Sequence, residues 1–196
     1  MQKPRFNLAL KKLLFISILS LFFGCASIGG VSPAMTSHME VLKTQDIPFM
    51  IVAMYTSKPN PVGGVDVYVI PRITTPKTIK YISMTFSIYN TVGDEVYDSK
   101  WGGEFILNSI GFNDFTGKVT GPLNFGDKVE WKWDNAWYNS DIHCLKLRKV
   151  DVEYMDGSRK TFKGNGTVGR RKYPLKTLYA PKELRVRGGK YWSCTW

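Results

Sequence analysis

With two histidines and three cysteines in 196 residues, the chain has few of the side chains from which metal centres and nucleophilic sites are built. A zinc site draws three or four ligands from His, Cys and carboxylates. Here His38 lies in a small, polar stretch near the start and only His143 stands within the alternating body of the chain. There is no EF-hand spacing, no phosphate-cradling glycine loop, no paired-carboxylate signature and no nucleophile elbow. No internal repeat or low-complexity tract is present, which sets aside solenoids and arrays. Acidic residues are also scarce, 16 against 27 Lys and Arg, for a formal net charge of +11. No metal site, cofactor or catalytic residue is expected, and the chain reads as a non-enzyme.

Two groupings come nearest to exceptions. Ser140, Asp141 and His143 are the residue types of a hydrolytic triad, but on a strand Asp141 and His143 would share a face with no preset acceptor geometry. Asp134, Asn135, Asn139 and Asp141 offer the oxygen ligands that calcium takes, although Asn and Asp are equally the residues of turns. Trp137 and Tyr138 in the same stretch are either core packing or an aromatic platform for a sugar or peptide.

What the chain does have begins at residue 1. Lys3, Arg5, Lys11 and Lys12 precede a predominantly apolar run from Leu13 to Phe23, broken only by Ser17 and Ser20 and followed by small residues around Cys25. That order is a secretory signal peptide over residues 1–24. The run is about half the ~20 residues a membrane-spanning helix needs. Leu21-Phe22-Phe23-Gly24-Cys25 resembles a bacterial lipobox, with Phe22 where the pattern prefers Leu and Phe23 where it prefers a small residue. The resemblance implies a lipidated Cys25 as mature N-terminus, attachment to a membrane outside the cytoplasm and, in a Gram-negative cell, export to the outer membrane. Several acyl chains would hold the protein far more firmly than one.

Removing residues 1–24, with four basic and no acidic side chains, lowers the net charge only to +7. The excess favours anionic lipid headgroups, acidic polysaccharide or acidic protein as partners. Export sets nucleic acid aside. With Cys25 assigned to lipid, Cys144 and Cys194 remain in a disulfide-permissive compartment. They are either two free thiols or a bridge closing a loop of roughly 50 residues, whose nominal contribution is ~2–4 kcal/mol.

Residues 25–45 are small and polar, as suits a tether. Residues 46–163 then carry the period-two alternation of half-buried strands. Phe49 to Thr56 reads as a strand, and Val65, Val67 and Val69 as its partner, with Pro71 marking either an edge or the strand end. In 79–89, Ile82, Met84, Phe86 and Ile88 oppose Tyr81, Ser83, Thr85 and Ser87. Glu95 to Ser99 is expected to return beside that strand, and Phe105 to Phe112 is ambiguous between strand and helical turn. A short strand at 115–119 is expected to stop at Gly121-Pro122. Val129, Trp131 and Trp133 alternate, as do Leu145 and Leu147 and then, out of phase, Val150, Val152 and Tyr154. A bulge near Arg148-Lys149 would reconcile the two phases, with two separate strands as the alternative. Asp156-Gly157 is expected to close a tight type I′ hairpin.

Tyr89-Asn90, Gly93-Asp94, Gly121-Pro122, Gly126, Trp137-Tyr138-Asn139 and Tyr154-Met155-Asp156-Gly157 together resemble an Ig-like domain of unassigned activity found in exported bacterial proteins. The resemblance covers residues 78–163, with Phe105 to Asn113 as an insertion, and implies an antiparallel sandwich. The fold class is therefore all-β: an antiparallel Ig/fibronectin-like β-sandwich behind a signal peptide, with a basic, aromatic extension at 164–196. That extension is read as wrapped over the sandwich, with one added strand around Leu184 to Val186. Arg170, Arg171, Lys172, Arg185 and Arg187 are its candidate anion-binding residues, and long basic side chains lying over apolar surface are the other reading. A lipid-anchored structural or interaction module of the cell envelope is expected, with an envelope protein as partner. An electrostatic binder of anionic glycolipid or polysaccharide through the extension is the alternative.

Overall fold

Alternation turns into paired strands over most of the chain. The computed structural model describes residues 32–96, 114–164, 173–185, 191–192 and 194. Strands β1 (Phe49–Thr56), β2 (Gly64–Ile73), β5 (Trp131–Tyr138) and β9 (Tyr191–Trp192) form a four-stranded sheet in the order β5-β2-β1-β9. Strands β3 (Ile79–Tyr89), β4 (Phe115–Leu123), β6 (Cys144–Tyr154), β7 (Arg159–Lys163) and β8 (Tyr173–Pro174) form a five-stranded sheet in the order β4-β3-β6-β7-β8. Pairing is antiparallel apart from the short β7–β8 contact.

The two antiparallel sheets share one core, as in a β-sandwich. Val65, Val67 and Val69 are buried from the first sheet, and Ile82, Met84, Phe86, Val150, Val152 and Phe162 from the second. Rings link the sheets directly: Phe86 lies 5.8 Å from Trp133, and Phe115 lies 5.5 Å from Trp137 between centroids. The phase change in β6 is resolved within a single strand. Thr85 pairs with Lys149 and Phe86 with Leu147, so Arg148 is the extra residue of a bulge. Leu147 and Val150 can then both face inward, and Arg148 and Lys149 are left on the outer side.

Several expectations change. Pro71 does not end β2, which continues to Ile73. The proline sits beyond the ladder to β5, which stops at Val69–Trp131, and opposite a register shift in β1 between Ile51 and Ala53. A residue without an N–H is tolerated there. Strand β4 likewise runs through Gly121-Pro122, a cis peptide, to Leu123. Gly121 is required by close approach, because a Cβ would stand 2.2 Å from the Ile79 carbonyl oxygen.

The β6–β7 turn is not type I′. Asp156 has no positive φ; Gly157 alone adopts one, at 80°. Gly157 N–H donates to the Tyr154 carbonyl at 3.0 Å and Tyr154 N–H to the Ser158 carbonyl at 2.9 Å, which describes a three-residue loop with the glycine at its left-handed position. Asp156 serves as an acceptor instead, and the Lys77 ammonium at 2.7 Å and Ser158 hold its carboxyl well below the usual range.

The expected tether over 25–45 gives way in its second half to helix α1 (Pro33–Thr44), which buries Met39 and Leu42. Helix α1 and the described residues of the C-terminal segment belong to the same compact unit as the two sheets. Among the described residues no helix is long and apolar enough to cross a membrane. Residue Glu95 bridges to Tyr89, so the return beside β3 begins as expected; its continuation, and Phe105 to Phe112, lie outside the described residues.

Candidate functional site

The candidate residues of the extension fall into two groups. Arg170, Arg171, Lys172 and Arg187 lie outside the described residues, as does Cys25. Arg185 is described, and it is committed to its own segment: its Nε–H donates to the Ala180 carbonyl at 2.8 Å and its guanidinium lies 6.0 Å from the Tyr179 ring. Burial pushes the Tyr179 hydroxyl well above its ordinary value, against the opposing charge of Arg185. Cys144 and Cys194 are joined in a disulfide with Cα atoms 5.1 Å apart.

Following the extension shows why it folds this way. Strand β8 pairs with the edge of β7. A 3-10 turn at Leu175–Leu178 then buries both its leucines, Tyr179 bridges to Ile51, and Ala180 N–H donates to the Ile51 carbonyl at 2.9 Å. Strand β9 pairs with Tyr55 and Thr56 of β1. An open sheet edge presents unpaired N–H and C=O groups, and this segment supplies partners to β7 and β1 in turn. It closes one side of both sheets rather than lying over the sandwich. The strand expected at 184–186 is absent where described, because Lys182–Leu184 forms a 3-10 turn.

The oxygen-rich stretch at 134–141 is occupied with local bonds. Asp134 pairs with Lys132, and Asn135, at φ 48°, donates its N–H to Asp66 Oδ1 at 2.9 Å while its Oδ1 accepts from Asn60 Nδ2 at 3.0 Å. Partial burial works to raise the Asp66 carboxyl, but the Asn135 N–H and the Lys132 ammonium outweigh it and hold it low. Asn139 Oδ1 accepts the Asp141 N–H at 2.7 Å, a turn bond. Among the described residues no group of three His, Cys, Asp or Glu side chains could hold a metal ion. Ser140 reaches Asp141 at 3.5 Å, and His143 donates its backbone N–H to the Tyr89 carbonyl at 2.8 Å. Trp137 is 1% exposed, so it belongs to the core.

The structure adds a face that sequence reading passed over. On the outer side of the five-stranded sheet the register lines up polar residues in rows across four strands. Thr120, Tyr81, Glu153 and Arg159 make one row; Lys118, Ser83, Asp151 and Thr161 the next; Thr116, Thr85, Lys149 and Lys163 the third. The first two rows line an open groove of about 630 Å³, with Lys149 at one end. Lys80 and Arg159 hold Glu153 at 3.3 and 2.7 Å, and Lys149 and the Thr161 hydroxyl hold Asp151, each at 2.6 Å. The Lys80 ammonium, then Arg159, keeps the Glu153 carboxyl below its ordinary range. Tyr81 is 46% exposed, with the Lys80 ammonium 5.0 Å from its ring. In sequence each of these residues was simply the polar half of an alternating strand. The register that makes rows of them was the missing information.

No protein-family model, curated protein or solved structure matches the chain.

Proposed function

We propose that this chain is a lipid-anchored, extracytoplasmic module of Ig-like type that works by interaction or as a structural part of the cell envelope rather than by catalysis. The basic, apolar, small-Cys order of residues 3–25 supports export and acylation at Cys25. The observation that carries an interaction role is the division of labour around the sandwich. The C-terminal segment is spent on closing the edges of β1 and β7, whereas the outer face of β4-β3-β6-β7 is left as a continuous polar array around a groove. The alternative, anion binding through the extension itself, draws on Arg170, Arg171 and Lys172, which lead into β8. Against it stands Arg185, which is turned to Ala180 and Tyr179.

Fractionation of cells tests the anchor. The full chain should co-sediment with membranes, and Cys25→Ser should release it or block its maturation; unchanged membrane retention and unchanged mass would remove the lipid anchor from this reading. Cross-linking in native membranes then tests the partner. A stoichiometric envelope partner, or a ligand captured through the outer sheet face, would support the interaction role, whereas salt-sensitive capture of glycolipid or polysaccharide that is lost on neutralising Arg170, Arg171 and Lys172 would favour the electrostatic one.

A further inference from the structure

We infer that the outer face of the five-stranded sheet is a binding site for an acidic polysaccharide. The inference rests on the interaction-module reading and deepens it by naming the face and the chemical class of its ligand.

Charge is the first argument. Gly117, Val150 and Phe162 face the core, so their neighbours Lys118, Lys149 and Lys163 point outward. Lys118 and Lys163 make no ion pair with any described residue, and the two carboxylates on the face, Asp151 and Glu153, are already held by Lys149, Lys80 and Arg159. Among the described residues an approaching anion therefore meets the ammonium groups of Lys118 and Lys163, and both carboxylates of the three rows are already held. Arg148, the extra residue of the bulge, is exposed on the same outer side, with its guanidinium donating to the Tyr89 hydroxyl at 3.3 Å.

Shape selects among anions. Four strands about 4.8 Å apart and three rows about 6.6 Å apart give a face of roughly 14 by 13 Å. Among the described residues the face carries no cluster of exposed apolar anchors of the kind that forms the centre of a protein interface. A bilayer surface is also a poor match, because among the described residues Tyr81 is the one large apolar side chain exposed on this face; Val41, Val62, Val92, Phe125 and Met155 project from α1 and from turns. What the face offers is an open groove, an accessible aromatic ring and the hydroxyls of Ser83 and Thr120, beside a Thr85–Thr116 hydroxyl pair 3.2 Å apart. Rings of this kind stack on the apolar face of a sugar, hydroxyls exchange hydrogen bonds with its own, and lysines meet its carboxylates.

Binding of the full chain, held in uncharged detergent micelles, to polygalacturonate and to uncharged dextran tests this assignment. At about 0.05 M salt the protein should bind polygalacturonate and not dextran, and most of the binding should vanish near 0.5 M, where screening shortens the reach of charge to a few ångströms. The double variant Lys118→Glu/Lys163→Glu should lose binding at least tenfold. A control with the same change in net charge, Lys58→Glu/Lys176→Glu, should stay within about twofold of the parent. Lys118→Gln/Lys163→Gln gives the same comparison if the glutamates disturb folding. Tyr81→Ala should weaken binding several-fold with the salt dependence unchanged.

No binding at low salt, or equal losses in face and control variants, would overturn the assignment. So would efficient displacement of the polymer by micelles containing anionic phospholipid, which would make a headgroup the better ligand. Each of these results leaves the membrane fractionation of Cys25→Ser untouched, so failure of the face and failure of the anchored-module reading are separable.

Discussion

The backbone N–H of Cys194 donates to the carbonyl of Leu145 at 3.1 Å, one residue along from the disulfide that joins Cys194 to Cys144. The last described residue of the chain is thus tied to β6 by a covalent bond and a hydrogen bond together. Between Tyr173 and Cys194 the chain has paired with β7, filled in with Leu175 and Leu178, and paired with β1. The bridge holds the end of a segment that keeps two sheet edges closed.

Cys194→Ser should therefore act on more than one bond. Opening a loop of sequence separation 50 should cost about 2–4 kcal/mol of stability, read as a lowered urea midpoint. Limited proteolysis should show new cleavage after residue 164 before the body of the sandwich is attacked. A midpoint unchanged from the parent would mean that the edge pairing holds without the bridge.

Gly117→Ala should destabilise β4 against β5. A Cβ at Gly117 would stand 2.4 Å from Trp133 Cε2, a rigid ring whose Nε1–H also donates to the Lys118 carbonyl at 3.3 Å. The cost should be about 1–3 kcal/mol, as for other overpacked sites. Chemical denaturation followed by tryptophan fluorescence reads both the stability and the displaced indole, and a neutral result would show that β4 gives way freely.

Trp137→Ala distinguishes core from platform. The side chain is 1% exposed and packs edge-on to Phe115, so its loss should cost about 3–5 kcal/mol. The fraction that remains folded should bind polygalacturonate as the parent does. Loss of binding at unchanged stability would return Trp137 to the role of a sugar platform.

Alkaline stability should depend on Tyr179. Its folded pKa is raised above the ordinary 10.0 by burial, so its contribution is fully present below that pH. As pH climbs past about 10 the unfolded chain releases the proton while the folded chain retains it, and stability falls. Tyr179→Phe should flatten this decline in denaturation midpoints between about pH 9 and 11. Parallel curves for parent and variant would assign the decline to other groups, among them Tyr55 and Tyr89, which are raised for the same reason.

The local pattern by itself determined the β character, most strand positions and the phase change in β6, because alternation reports which side of a strand meets apolar neighbours, and a phase slip reports an extra residue or a break between strands, a choice that pairing with β3 decides. It left Cys144 and Cys194 as either free thiols or a bridge, and the tertiary structure joins them. The pattern also left α1 hidden, since only Met39 and Leu42 anchor that helix and two apolar positions make no periodicity. Only the tertiary structure decided that Pro71 and Pro122 lie within strands, that Trp137 is core, and that the basic extension forms the closing edge of two sheets. Those outcomes depend on which strand runs alongside, and hydrogen-bonded neighbours from distant parts of the chain leave no trace in local sequence. The polar rows on the five-stranded sheet have the same origin. Tyr81, Lys118, Asp151 and Lys163 are far apart along the chain, and the register of β4, β3, β6 and β7 alone makes one surface of them.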